Sequence, residues 1–209
     1  MSSLKTALFL STALFSFTAI ADNNFVNLDL YKKELTQYHD SGKYMNDIAQ
    51  IDKQAENYLQ QRVDQNNQSS HPQKFAIVFD IDETSLSNYP DMVKLSFGGT
   101  NQMIDVNLAK AVDPAIQPTL ELYRLAEKDK VAVFFITGRG TDLTDATIKN
   151  LQKTGYIQWN ALYLRPENYH KPSIIPFKYI KFIISHIAYD RRYSQERHQA
   201  GGSRGFDFF

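Results

Sequence analysis

Phe75-Ala76-Ile77-Val78-Phe79-Asp80-Ile81-Asp82-Glu83-Thr84 is five apolar residues running straight into Asp-x-Asp-x-Thr. A short, uniformly hydrophobic run bounded by polar residues reads as a strand buried on both faces of a parallel sheet. The carboxylates fall where that strand ends and its loop begins, and open α/β sheets bind ligands outside the carboxyl ends of their strands. Two acids one residue apart suit a reaction in which one attacks and the other moves a proton. An Asp-rich turn would also satisfy Asp-x-Asp alone; the strand before it and Thr84 after it favour chemistry.

This stretch resembles motif I of the haloacid dehalogenase superfamily of phosphohydrolases. In its longer form, Phe79 to Asn88, it is similar to the secreted acid phosphatase branch, which includes class B-like bacterial enzymes and plant vegetative storage proteins. A second apolar run, Val131-Ala132-Val133-Phe134-Phe135-Ile136, leads into Thr137-Gly138-Arg139-Gly140. A hydroxyl and backbone amides at a strand end can bind phosphate oxygens, and the pair resembles motif II of the same superfamily. Arg139 either reaches the phosphate or pairs on the surface. A third strand is expected at Ala161-Leu162-Tyr163-Leu164, with Arg165 to Asn168 as its loop. Lys178, in Pro176-Phe177-Lys178, resembles the motif III lysine, with Lys171 in reserve.

The chain has 209 residues, is 43% apolar, contains no cysteine and balances 23 basic with 23 acidic residues. Disulfides and thiolate chemistry are excluded, and the charge balance gives no reason to expect a nucleic-acid partner. Residues 1–21 read as a signal peptide: Lys5, an apolar stretch from Ala7 to Ile20, and cleavage after Ala21 in Ala19-Ile20-Ala21. The stretch is short for a membrane span, so none is expected after cleavage, and the destination is the periplasm, cell surface or exterior.

Segment 22–74 is expected to be helical, with Leu28, Leu30, Tyr31, Leu35 and Tyr38 at helical spacing, a break at Ser41-Gly42, and then Tyr44, Ile48, Ile51, Ala55, Tyr58, Leu59 and Val63. Residues 75–189 are the phosphatase-like core, with a small cap insert at about 85–118. In that insert Tyr89 and Phe97 read as packing rather than as a platform for substrate. A helix over Thr119 to Lys128 returns to the sheet. Another, capped near Asp142 or Thr144, turns Ala146, Ile148 and Leu151 inward and stops at Gly155. His39 is assigned no catalytic part, and Glu83 no role.

The expected fold is therefore α/β: a three-layer, Rossmann-like parallel sheet with N-terminal helices and a cap insert, and no dinucleotide fingerprint after the first strand. The resemblance implies a secreted acid phosphatase, a hydrolase of small phosphomonoesters, nucleotides among them. Asp80 would be the nucleophile and Asp82 the acid and base. Thr137, Gly138 and Lys178 would bind phosphate, and the carboxylate of Asp80 with the backbone carbonyl of Asp82 would hold Mg2+. Thr84 would fix the loop.

The family's fourth motif, a strand ending in Gly-Asp with a further acid, has no counterpart. Asp190 is the nearest acid and lacks both neighbours. The pattern stops after Lys178, as a shifted reading frame or truncation would make it do. Segment 190–209 reads as an atypical, disordered tail, and the sheet as incomplete at its C-terminal edge. The alternative function is a catalytically impaired or non-catalytic secreted protein on the same scaffold.

Overall fold

The structure is a computed structural model that describes residues 27–167 and 206–208. The N-terminal segment is a helical hairpin. Helix α1, Leu28–Asp40, begins at Asn27, whose side-chain oxygen accepts from the amides of Asp29 and Leu30 at 3.0 and 3.3 Å, satisfying donors that the first turn leaves free. Gly42 at φ 81° makes the break, a conformation that costs glycine no steric penalty. Helix α2 follows as Lys43–Asn67 and buries Leu59 and Val63 against α5, Gln117–Lys128, which contributes Leu120, Leu122, Tyr123 and Ala126.

The helical periodicity of the hairpin is real, but only part of its apolar face is buried. Leu28, Leu30 and Tyr31 on α1 and Ile51 and Tyr58 on α2 are exposed. The spacing marks an apolar side without saying how much of it another element covers.

Strand β1, Lys74–Phe79, pairs in parallel with β2, Ala132–Gly140, and β2 pairs in parallel with β3, Ala161–Arg165. A short β4, Phe206–Phe208, lies parallel to the other edge of β1, giving the order β3-β2-β1-β4. The tail was expected to be disordered; these three residues instead form a strand. Their pairing covers Lys74, Phe75 and Ala76, and no other strand among the described residues pairs that edge of β1 toward Asp80.

The second strand, expected to end at Ile136, instead runs through Gly140, and its ladder to β3 shifts register between Ile136 and Gly140. Such irregularities in a sheet re-aim side chains beside functional sites. Helix α6, Thr144–Thr154, follows a 3-10 turn at Thr141–Leu143 and ends at Gly155 with φ 107°. Its buried residues are Thr147, Asn150 and Leu151, so Ala146 and Ile148, expected inward, are only half-buried.

The main core lies on one face of the sheet, where Phe75, Ile77 and Phe79 meet Val133, Phe135, Leu120, Tyr123, Leu151 and Tyr156. The alternate residues Ala76, Phe134 and Ile136 form a smaller cluster on the opposite face, as period-two alternation requires. The third layer of the expected architecture lies outside the described residues. No helix among the described residues is long and apolar enough to cross a membrane.

One contact of the α2–α5 packing carries a pH dependence. Asp52 on α2 accepts from the Thr119 hydroxyl at 2.8 Å. Burial nevertheless pushes its carboxyl above the usual 3.8, the Thr119 bond offsetting only part of this. The folded protein therefore holds its proton more tightly than the unfolded chain. Stability from this group is complete below the ordinary carboxylate value and is lost as pH rises through the raised one. Asp52→Asn should melt at a higher temperature than the parent at about pH 7, with the gain gone by about pH 3, below both values. Thermal melts at the two pH values test this; an equal or lower melting temperature at neutral pH would contradict it.

Candidate active site

The loop after β1 is built from its own backbone. The carbonyl of Ile81 accepts from the amides of Thr84, Ser85 and Leu86 at 3.3, 2.9 and 2.8 Å, and the amide of Glu83 donates to the Leu86 carbonyl at 2.8 Å. The Ser85 hydroxyl donates to the carbonyl of Asp80 at 2.6 Å. The loop is then fastened to the exit of the insert: Ser87 donates to the Pro114 carbonyl at 2.9 Å, and Ile116 to that of Ser85 at 3.0 Å. Tyr156 reaches across the core to the same Ser85 carbonyl at 3.0 Å. A loop held at so many points presents its side chains with little freedom, as a preorganised site needs.

Asp80 and Asp82 have opposite surroundings. Asp80 is exposed at the strand end. Partial desolvation there is the main influence on its carboxyl and raises it, opposed by a hydrogen bond from the Ile81 amide and, more weakly, by Arg139. Asp82 is half-buried and fully engaged. Its Oδ1 accepts from Asn88 Nδ2 at 2.8 Å and from Arg139 Nε and Nη2 at 3.0 and 2.7 Å. Its Oδ2 accepts from Arg139 Nε at 3.3 Å and from the Thr137 hydroxyl at 3.5 Å.

Arg139 is thus neither of the two things expected of it. It is buried, and its guanidinium bridges Asp82 to Asp113, whose Oδ2 lies 3.2 Å from Nη2. Asp113 is itself buried, and that burial raises its carboxyl despite Arg139. Asn150 on α6 clamps its backbone in both directions, accepting from the amide at 2.9 Å and donating to the carbonyl at 2.7 Å. Sequence reasoning missed Asp113 and Asn150. Their only local signal was an acid beside Pro114 at the end of the insert.

Thr137 is brought to Asp82 and is fully buried, and Gly138 follows it in the same strand. Lys178, Lys171 and Asp190 lie outside the described residues. Tyr89 and Phe97 lie against each other at a ring separation of 6.2 Å, and Tyr89 also packs outside the insert on the end of α1, stacking on His39 at 3.3 Å and donating its hydroxyl to Asp40 at 2.9 Å. The insert, helices α3 (Tyr89–Lys94) and α4 (Asn101–Leu108), encloses a largely apolar cavity of about 350 Å3 bordered by Asn88, Met92, Leu95, Phe97 and Ile104.

A divalent cation would find few ligands. Among the described residues there is no group of three acidic, His or Cys side chains placed to hold one. Asp80 has a carboxylate without an ion-pair partner among the described residues. The loop's own hydrogen bonds run through the carbonyls of Ile81 and Leu86 and leave that of Asp82 available. Mg2+ commonly takes only one or two carboxylates, keeps several waters and completes its shell with substrate phosphate, so this donor set fits it.

Three comparisons bear on the site. The family model for HAD superfamily, subfamily IIIB (acid phosphatase), matches residues 3–182. Acid phosphatase 1 of Solanum lycopersicum is 33% identical over 105 residues, 48% of this chain and 41% of that protein. The stem 28 kDa glycoprotein of Glycine max is 30% identical over 146 residues, 68% of this chain and 55% of that protein. The chain spans about half the length of these curated relatives. The class C acid phosphatase of Bacillus anthracis shares the fold with a TM-score of 0.58, at 22% identity over 86% of this chain and 84% of that one.

The buried triad supplies its own test. Arg139→Met leaves Asp113 buried without its counter-charge, and breaking a buried pair by removing one partner costs about 3–5 kcal/mol. Urea unfolding should show a loss of that order, with part regained in the double variant Arg139→Met, Asp113→Asn. A midpoint unchanged in the single variant would show that the pair contributes nothing.

Proposed function

The chain belongs to the subfamily IIIB acid phosphatases of the HAD superfamily, and on that premise we propose that it hydrolyses phosphomonoesters through an aspartyl-phosphate formed on Asp80. The observation that carries this reading is the contrast between the two acids: one carboxylate exposed at a strand end and without an ion pair among the described residues, the other tied to Arg139, Asn88 and Thr137 a residue away.

An oxygen of the Asp80 carboxylate attacks phosphorus in line, and the bond from phosphorus to the ester oxygen breaks. Asp82 gives a proton to the departing oxygen, then takes one from the water that attacks the phospho-aspartate, releasing phosphate and restoring Asp80. Thr137 and the Gly138 amide bind phosphoryl oxygens, and Lys178 adds positive charge to them. Mg2+ on the Asp80 carboxylate and the Asp82 carbonyl would offset the charge of nucleophile and phosphate together. The organic part of the ester, a nucleoside among the candidates, faces the insert. Residues 1–21 support export. A second reading, a non-catalytic protein on this scaffold, is favoured by the missing third acidic ligand among the described residues.

Purified residues 22–209 should release p-nitrophenol from its phosphate ester with Mg2+ and stop when a chelator is added. Asp80→Asn should be inactive yet still fold, and Asp82→Ala should lose about 100- to 10,000-fold in rate, the usual span for acid–base help. Full activity in Asp80→Asn would remove the nucleophile from this reading. A parent protein that melts cooperatively but turns nothing over would favour the second.

A further inference from the structure

We propose that Glu83 is the positioning residue that sets Asp82 for proton transfer, acting through Asn88 and anchored by Tyr44, so that helix α2 is a working part of the catalytic loop. This deepens the phosphatase reading and rests on it for the role of Asp82.

Glu83 sits between the two acids' loop and the N-terminal hairpin. Its backbone has φ 52°, in the left-handed region that a residue with a side chain rarely enters. That turn directs the carboxylate back onto the loop and out to α2. One oxygen accepts from the Tyr44 hydroxyl, a contact across 39 positions of sequence. The other accepts from the Ser87 hydroxyl at 3.2 Å and from the backbone amide of Asn88. Burial, reinforced by the Glu83 bond, raises the Tyr44 phenol, which therefore stays a neutral donor.

Asn88 passes this constraint to the acid. With its amide held by Glu83, its side-chain Nδ2 donates to Asp82 Oδ1 at 2.8 Å. The Oδ1 of Asn88 is buried and has no partner among the described residues. Leaving such an oxygen unpaired is unfavourable, but turning the amide over would set an oxygen against the Asp82 carboxylate. The orientation seen is the one that serves Asp82. Tyr44, Glu83, Asn88 and Asp82 form one chain of hydrogen bonds; Arg139 holds Asp82 from the other side.

A residue that merely supported the fold would lower the rate for every substrate alike. A residue that positions the proton donor matters more where the leaving oxygen needs the proton. The test compares kcat/KM for an alkyl ester, glycerol 2-phosphate, with that for the activated p-nitrophenyl ester, in the parent, E83A, E83G, E83Q and Y44F. E83A should lose about 100-fold on the alkyl ester, the scale for a displaced catalytic group, and at least about tenfold less on the aryl ester, whose departure depends little on a proton. E83G should match E83A, since relieving the backbone does not restore the carboxylate. E83Q, which keeps one acceptor oxygen, should recover part, and Y44F should show the same split more weakly.

Equal losses on both esters, or parental rates in E83G, would overturn the proposal. If the parent hydrolyses neither ester, the phosphatase reading fails first, and amide exchange then decides the positioning. Residues 80–89 should exchange faster in E83A and Y44F while Gln117–Lys128 on α5 is unchanged. Unaltered exchange at 80–89 would reject the link.

Discussion

One buried guanidinium decides what the two aspartates can do. Arg139 contacts both oxygens of Asp82 through Nε and one through Nη2, and reaches Asp113 with Nη2. A planar, permanently charged fork is suited to this bridging in a way that a lysine is not. Because the fork is spent on Asp82 and Asp113, Asp80 is left without an ion pair among the described residues. An acid raised by desolvation at a strand end is the environment associated with functional carboxylates, and Arg139, committed to Asp82 and Asp113, only weakly opposes that desolvation.

The bridge also explains why three separate parts of the chain meet at this point. Asp82 comes from the β1 loop, Arg139 from the irregular end of β2, and Asp113 from the exit of the insert. The register shift between Ile136 and Gly140 lets the end of β2 turn Arg139 inward between the two acids. The insert does not hang free from the sheet. Its last residues are hydrogen-bonded to the β1 loop at Ser85 and Ser87 and to α6 at Asn150, so the walls of the site move with its floor.

The fold was legible because its strands are continuous apolar runs and its breaks are glycines in left-handed conformations, at Gly42 and Gly155. The helix over Gln117–Lys128 was legible from the apolar spacing of Leu120, Leu122, Tyr123 and Leu125, whereas the short insert helices α3 and α4 carried no such signal. The acids of the β1 loop were legible for a similar reason, since a motif at a strand end is local in sequence. Arg139, Glu83 and Asp113 were not, because their partners are distant in sequence: Asp82 is 57 positions from Arg139, Asp113 is 26, and Tyr44 is 39 from Glu83. Periodicity also overstated the N-terminal hairpin. Leu28 and Tyr31 share a helical side with Leu35 and remain exposed, since an apolar stripe specifies a face and not the surface that meets it.

What emerges is a division of labour enforced by position. On the Asp82 side, Asn88, Arg139 and Thr137 all donate to one carboxylate, and the buried Asn88 oxygen is left without a partner among the described residues. On the Asp80 side, desolvation outweighs the single backbone hydrogen bond from Ile81 and the pull of Arg139. Both arrangements cost stability, and an unconstrained loop would relax them. They persist because the loop is held by the Ile81 carbonyl, by Pro114, by Tyr156 and by Glu83 at once. Strain of this kind survives only where the surroundings over-determine it, and the residues around Asp80 and Asp82 do so from four directions.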